Sequence, residues 1–118
     1  MQPLSGVRVL DLSRILAGPH ATQTLSDLGA EVLKLEAPWG DDTRSWGPPF
    51  QSGFDGEEVA SYFLSCNRGK RIETVNIKQE QARLRTLVAE FDVVVENFKP
   101  GTFDAVVGLS LIHISEPT

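Results

Sequence analysis

Gly6–Glu36, GVRVLDLSRILAGPHATQTLSDLGAEVLKLE, decides how this chain is read. Val7–Leu12 is a short β-branched and aliphatic run, the composition of a strand. Pro19–Leu28 carries Ala21, Leu25 and Leu28 at helical spacing, and Gly29 stands where a helix would stop. Glu31–Glu36 alternates polar and apolar, with Val32, Leu33 and Leu35 to bury. Strand, helix and strand in so short a span predict a βαβ unit with parallel strands. Ligands of such sheets bind at the carboxyl ends of the strands, so the loop Ser13–Gly18 lies at the expected binding edge.

Outward from that unit, Ala37–Gly56 contains APWGDDTRSWGPPF (Ala37–Phe50) and is dense in Gly, Pro and Asp, which predicts loop. Trp39, Trp46 and Phe50 are unusual there and are expected to pack against the sheet edge or a partner. Arg44 beside Asp41 and Asp42 reads as a local ion pair, worth little if exposed. Glu57–Ser65 predicts a short helix, followed by the basic turn Asn67–Arg71. Ile72–Ile77 predicts a strand and Lys78–Glu90 a helix with Ala82, Leu84, Leu87 and Val88 apolar. Phe91–Glu96 is a continuous apolar strand of the kind buried on both faces. Asn97–Gly101 is the turn that leaves it. The second half repeats the βαβ plan. The expected fold class is α/β: a Rossmann-like parallel sheet with flanking helices.

The chain has 118 residues, enough for one modest domain. Its net charge of −5 removes the general electrostatic case for nucleic acid or an anionic membrane surface. No apolar run approaches a membrane span. The start, Met1–Leu4, shows neither a signal-peptide core nor an Arg-rich presequence, so the expected location is the cytoplasm or, from a longer precursor, the mitochondrial matrix. A single cysteine, Cys66, excludes an internal disulfide and a cysteine-based metal cluster. No metal site is expected.

Chemistry-bearing motifs are few. The sequence has no G-x-G-x-x-G, P-loop, G-x-S-x-G or H-E-x-x-H. His20 reads as a polar helix-start residue, Cys66 as a buried structural thiol, and Asp11 as a loop-capping carboxylate. Arg68, Lys70 and Arg71 bring three cations within four residues of an acidic chain. Lys78 and Lys99 follow at the ends of later strands. Such charges could converge around a phosphate-bearing ligand, or form a solvated loop; pattern alone leaves both open.

Taken together, Pro3–Pro19 (PLSGVRVLDLSRILAGP), Asp27–Glu36 (DLGAEVLKLE), Gly40–Phe50 (GDDTRSWGPPF), Asn67–Arg71 (NRGKR), Val75–Lys78 (VNIK) and Val95–Gly101 (VENFKPG) resemble the opening of a family III coenzyme A transferase of the CaiB/BaiF type. The resemblance runs from about Pro3 to Val107. The GDDTRSWGPPF and VNIK pieces look most like the succinate–hydroxymethylglutarate CoA-transferase branch. Formyl-CoA transferase, carnitine CoA-transferase and α-methylacyl-CoA racemase share the same opening.

The resemblance implies an enzyme that moves CoA from an acyl-CoA to a free carboxylic acid, often a dicarboxylic one. An aspartate carboxylate attacks the thioester, with mixed anhydrides and an enzyme thioester following. It implies CoA and acyl-CoA as substrates, no permanently bound cofactor, and an interlocked homodimer of full-length chains. Residues 1–108 would be the partial N-terminal CoA-binding domain. By motif position, Leu16 and Ala17, then Val75, Asn76, Ile77 and Lys78, then Asn97, Phe98 and Lys99 would line the CoA site. Two cations of formyl-CoA transferase are missing, with Ala37 and Ala105 in their places. No catalytic residue is assigned, because the family's aspartate is expected downstream of Thr118. Residues 109–118, LSLIHISEPT, fit no element well and resemble adapter read-through, a non-native tail; the other reading is a native strand-like tail. The alternatives are an α-methylacyl-CoA racemase-type isomerase fragment and a non-catalytic CoA-binding module.

Overall fold

The computed structural model describes residues 2–52, 58–99, 101, 103 and 114–115. In chain order they form β1 (Arg8–Asp11), α1 (Ala17–Asp27), β2 (Glu31–Glu36), a 3₁₀ turn (Asp42–Ser45), β3 (Phe50–Ser52), β4 (Glu58–Ala60), α2 (Ser61–Ser65), β5 (Arg71–Thr74), α3 (Gln81–Glu90), β6 (Val93–Glu96) and β7 (Ile114–Ser115). Five strands make one sheet in the order β5-β2-β1-β6-β7, every neighbouring pair parallel. The chain starts at the centre, builds toward β5, then returns to the other side of β1 with β6. The reversal of strand order lies between β1 and β6, where a crevice opens at the carboxyl ends of such sheets.

Side-chain alternation along the strands sets two apolar layers. Leu10, Leu12, Leu33, Leu35 and Val94 face one side, where Leu84 and Val88, one helical turn apart on α3, close the larger core with Val75 and Phe103. Val9, Val32 and Val95 face the other side with Leu25 of α1. The register Leu10↔Leu33 and Leu10↔Val94 stacks like with like across the sheet. α1 stops where Gly29 takes φ +105°, and its N–H donates to the Ser26 carbonyl at 3.0 Å. Only glycine adopts that conformation freely, and a Cβ there would lie 2.6 Å from Gln2 Cβ.

Several expected boundaries move. The strand expected over Ile72–Ile77 ends at Thr74, and the helix expected from Lys78 begins at Gln81. The cause is Asn76, whose side-chain carbonyl accepts the N–H groups of Lys78 (3.2 Å) and Gln79 (3.3 Å), making a turn between them. The helix expected over Glu57–Ser65 is β4 followed by the short α2; Glu57 lies outside the described residues. β4 pairs antiparallel with β3, which falls inside the stretch read as loop. Of residues 109–118, Ile114 and Ser115 pair with Val95 and Glu96, and the rest lie outside the described residues, as does Ala105. A free parallel edge offers backbone groups to any extended segment, so this pairing needs no particular side chains. Among the described residues no helix is long and apolar enough to cross a membrane.

Candidate functional site

A cavity of about 340 Å³ opens at the carboxyl ends of β1, β2, β5 and β6. Its apolar wall is made by Leu12 and Leu35 from the strand ends, Val75 and Ile77 from the turn after β5 and Phe98 from the turn after β6, while Ser13, Lys34, Glu36 and Asp41 line the rest. Arg14, Trp39, Asn76 and Lys78 stand around the opening. An apolar slot with a few convergent polar groups is the usual form of a small-molecule site.

Two of the three cations that line the cavity carry no ion pair among the described residues. Arg8, Lys34, Arg44, Arg68, Lys70, Arg71 and Arg83 each pair with a carboxylate. Among the described residues Arg14, Lys78, Arg85 and Lys99 have no such partner; Arg14 and Lys78 line the cavity, and Lys99 follows Phe98, which does. Uncompensated positive charge beside an apolar slot in a chain of net charge −5 suits an anionic ligand.

The backbone holds these groups in place. The Asn97 side chain brackets the Arg14 residue, donating to its carbonyl (3.0 Å) and accepting from its N–H (3.3 Å). Asn76 orients Lys78 by the turn described above, and Glu80 accepts the Asn76 N–H at 2.8 Å. That bond, aided by the hydrogen bond and charge of Arg83, outweighs the opposing effect of desolvation and lowers the Glu80 pKa below its usual value.

Beneath the loop after β1 lies a buried polar network on the α1 face. Asp11 accepts Ser13 N–H (2.9 Å), the Ser13 hydroxyl, Thr22 Oγ1 (2.6 Å) and Lys70 Nζ (3.1 Å). Lys34 Nζ donates to the Ser13 carbonyl (3.0 Å) and to Asp41 Oδ2 (3.3 Å). Asp41 also accepts Thr43 N–H (3.0 Å), Thr43 Oγ1 (2.8 Å) and Ile15 N–H (3.1 Å). Glu36 takes a two-point contact from Arg44 (2.8 and 2.7 Å) and the Asp41 N–H (3.0 Å). Ile15 has φ +76°, a costly conformation for a β-branched residue, and the Asp41 bond is what fastens it. Burial pushes the Asp41 pKa up, but the Thr43 N–H, the Lys34 charge, the Thr43 hydroxyl and the Ile15 N–H outweigh it, and the net shift is downward. For Lys70, burial wins over the charge and hydrogen bond of Asp11, and its pKa is lowered.

Of the residues placed by resemblance, Val75, Asn76, Ile77, Lys78 and Phe98 line the cavity. Leu16, Ala17, Asn97 and Lys99 do not line it; Leu16 is the residue that accepts the His20 N–H at the start of α1, and Asn97 acts through Arg14. The basic turn does not converge on a ligand. Arg68 pairs with Asp27, Arg71 with Glu31 and Glu73, and the fully buried Lys70 ammonium is spent on Asp11, the Pro19 carbonyl and Asn67. Asp11 is buried and caps Ser13, and Cys66 is buried. Sequence reasoning passed over Arg14, Lys34 and Asp41. A signal existed for Lys34: it shares a strand face with Val32, and a charge on an inner strand must find a buried partner.

A sequence model described as "CoA-transferase family III" matches residues 4–113. The chain belongs to CoA-transferase family III. The chain is 54% identical over 101 residues to the succinate–glutarate CoA-transferase of Agrobacterium fabrum, covering 82% of this chain and 25% of that protein. It is 50% identical over 119 residues to the human succinyl-CoA:glutarate CoA-transferase, covering 98% of this chain and 26% of that one. The crystal structure of a CaiB/BaiF family protein from Brucella suis superimposes with a TM-score of 0.84 at 54% identity, over 89% of this chain and 28% of that chain. The chain therefore spans about a quarter of the length of the curated relatives it matches.

Proposed function

We propose that this chain is the CoA-binding opening of a CoA-transferase that moves CoA from an acyl-CoA to a free dicarboxylic acid. The observation that carries the reading is the apolar cavity flanked by the unpaired Arg14 and Lys78. Coenzyme A presents phosphates to such cations and a long, weakly polar body to such walls. The names of the relatives, succinate–glutarate and succinyl-CoA:glutarate CoA-transferase, favour dicarboxylates as donor acyl group and acceptor, in line with the resemblance to the hydroxymethylglutarate branch.

The transfer step belongs to an aspartate outside these residues. A carboxylate attacks the thioester carbonyl and expels the CoA thiolate, leaving an acyl anhydride; the thiolate then attacks the enzyme's side of the anhydride, giving an enzyme thioester and the free acid. The acceptor carboxylate reverses the sequence and leaves as its own CoA ester. Asp41, the aspartate that lines the cavity, is ion-paired to Lys34 and bound by Thr43 and Ile15, so it is not free to act as nucleophile.

Titration calorimetry of the purified chain with CoA tests the binding half: measurable affinity is expected, weakened at least several-fold by Arg14→Ala or Lys78→Ala. No binding, or binding indifferent to both substitutions, rejects this site. An assay with succinyl-CoA and glutarate tests the other half. The chain alone is expected to transfer nothing, and turnover by it would refute the assignment of the nucleophile to another segment.

A further inference from the structure

Trp39 is 72% exposed, the most exposed of the large apolar side chains among the described residues, and it lines the cavity. The other tryptophan, Trp46, stands edge-on to Tyr62 with ring centroids 5.4 Å apart. Trp39 has no ring or cation partner among the described residues. It is not carried on loose backbone. Ala37–Gly40 is a tight turn in which Gly40 N–H donates to the Ala37 carbonyl at 2.8 Å, and Pro38 fixes the residue before Trp39. The turn is fastened on one side by β2 and on the other by Asp41, whose N–H reaches Glu36. An indole presented to solvent by a held turn, at the mouth of a ligand cavity, is a ready stacking surface.

We infer that Trp39 stacks on the adenine ring of coenzyme A bound in this cavity. The inference rests on the CoA reading above and adds a residue and an orientation to it. Within coenzyme A, only the adenosine end joins a flat π face to phosphates; the pantetheine arm has amides and methyl groups. A ligand that meets Trp39, Arg14 and Lys78 at one opening must carry both features together. The purine lies against the indole at the opening, its phosphates lie toward the cations, and the pantetheine arm runs along the apolar wall of the cavity.

Three probes separate the parts: CoA, adenosine 3′,5′-bisphosphate and 4′-phosphopantetheine, each titrated calorimetrically into the chain and into Trp39→Ala and Trp39→Phe. Trp39→Ala is expected to weaken CoA and the bisphosphate about tenfold, within the range for removing a base-stacking aromatic. Trp39→Phe should retain most of the affinity, and phosphopantetheine should bind all forms alike. Because the chain has two tryptophans, Trp46→Phe leaves Trp39 as sole indole, and CoA should quench its fluorescence. If CoA binds the chain and Trp39→Ala equally, Trp39 does not stack and the CoA reading stands without it. If Trp39→Ala weakens phosphopantetheine as much as the bisphosphate, the orientation is wrong. If the unmodified chain binds no CoA, both fall.

Discussion

Replacing Asp41 with alanine is the sharpest test of how the binding edge is held. The substitution removes four acceptor contacts at once: Thr43 N–H, Thr43 Oγ1, Ile15 N–H and Lys34 Nζ, at 3.0, 2.8, 3.1 and 3.3 Å. Both ionic side chains are 1% exposed, so no water replaces the lost carboxylate and the Lys34 ammonium keeps only the Ser13 carbonyl. Removing one partner of a buried ion pair costs about 3–5 kcal/mol, whereas loss of a helix cap alone costs about 1 kcal/mol. The larger figure governs, because the stranded charge dominates. Against a total of about 5–15 kcal/mol for a typical domain, Asp41→Ala should take away about a fifth of the stability or more.

Urea unfolding followed by circular dichroism reads this directly, in a cycle with Lys34→Met and the double variant. Lys34→Met leaves Asp41 its Thr43 and Ile15 donors, and removing both charges avoids a stranded ion, so the double variant should be more stable than Asp41→Ala by about 2 kcal/mol or more. Additive single effects, or a loss below about 1 kcal/mol for Asp41→Ala, would show that the pair is not what holds the loop.

Other outcomes follow from the same geometry. Asn97→Ala should cost about 1–2 kcal/mol through its two bonds to Arg14 and weaken CoA binding while the far-ultraviolet spectrum stays unchanged; calorimetry with CoA checks it. Leu84→Ala, at a fully buried position between α3 and the sheet, should cost about 2–5 kcal/mol in urea unfolding. Asp41 has a folded pKa below its ordinary 3.8, so its contribution is complete above that value; as pH falls below 3.8 the unfolded carboxyl takes a proton first and stability drops, an effect that acid titration should show diminished in the double variant. CoA affinity should fall as salt rises from low to physiological concentration, because Arg14 and Lys78 stand at an open rim.

The strand–helix–strand core is legible in the sequence because its signals are periodic and local. Val9, Leu10, Val32 and Leu33 divide between two faces by simple alternation, and Gly29 ends α1 as its position predicts. The region from Ala37 to Ser65 is much less legible. β3 and β4 depend on pairing with each other, and each is only three residues long, too short for a period to show. At the site, Lys78 can be placed by its position after a strand and Phe98 by the family resemblance, whereas Lys99, placed in the same way as Lys78, does not line the cavity. The role of the basic turn cannot be placed so, since whether a lysine meets ligand or a buried aspartate is decided by the stagger of β5 against β2: Ile72 lies level with Lys34, which itself lies level with Asp11. Lys70, just ahead of that row, therefore reaches Asp11 rather than the cavity.

That stagger also explains how one edge can be both rigid and open. The charges on the α1 face, Asp11, Lys34, Glu36 and Asp41, are all answered from within: by Lys70, Asp41, Arg44 and Lys34. They lock the loop after β1 and the turn after β2 to each other, with a strained Ile15 between them. The cations left unanswered, Arg14 and Lys78, are carried on backbone that this network and the two asparagines hold still. Fixing the loop before the ligand arrives removes an ordering cost from binding, so a rigid underside makes the weakly furnished cavity above it a better site than its few polar groups suggest. Loosening the underside at Asp41 should therefore weaken CoA binding even though Asp41 need not touch the ligand. The same substitution that lowers stability should lower affinity, and Lys34→Met added to it should restore the first more than the second, because the Ile15 N–H still lacks its acceptor.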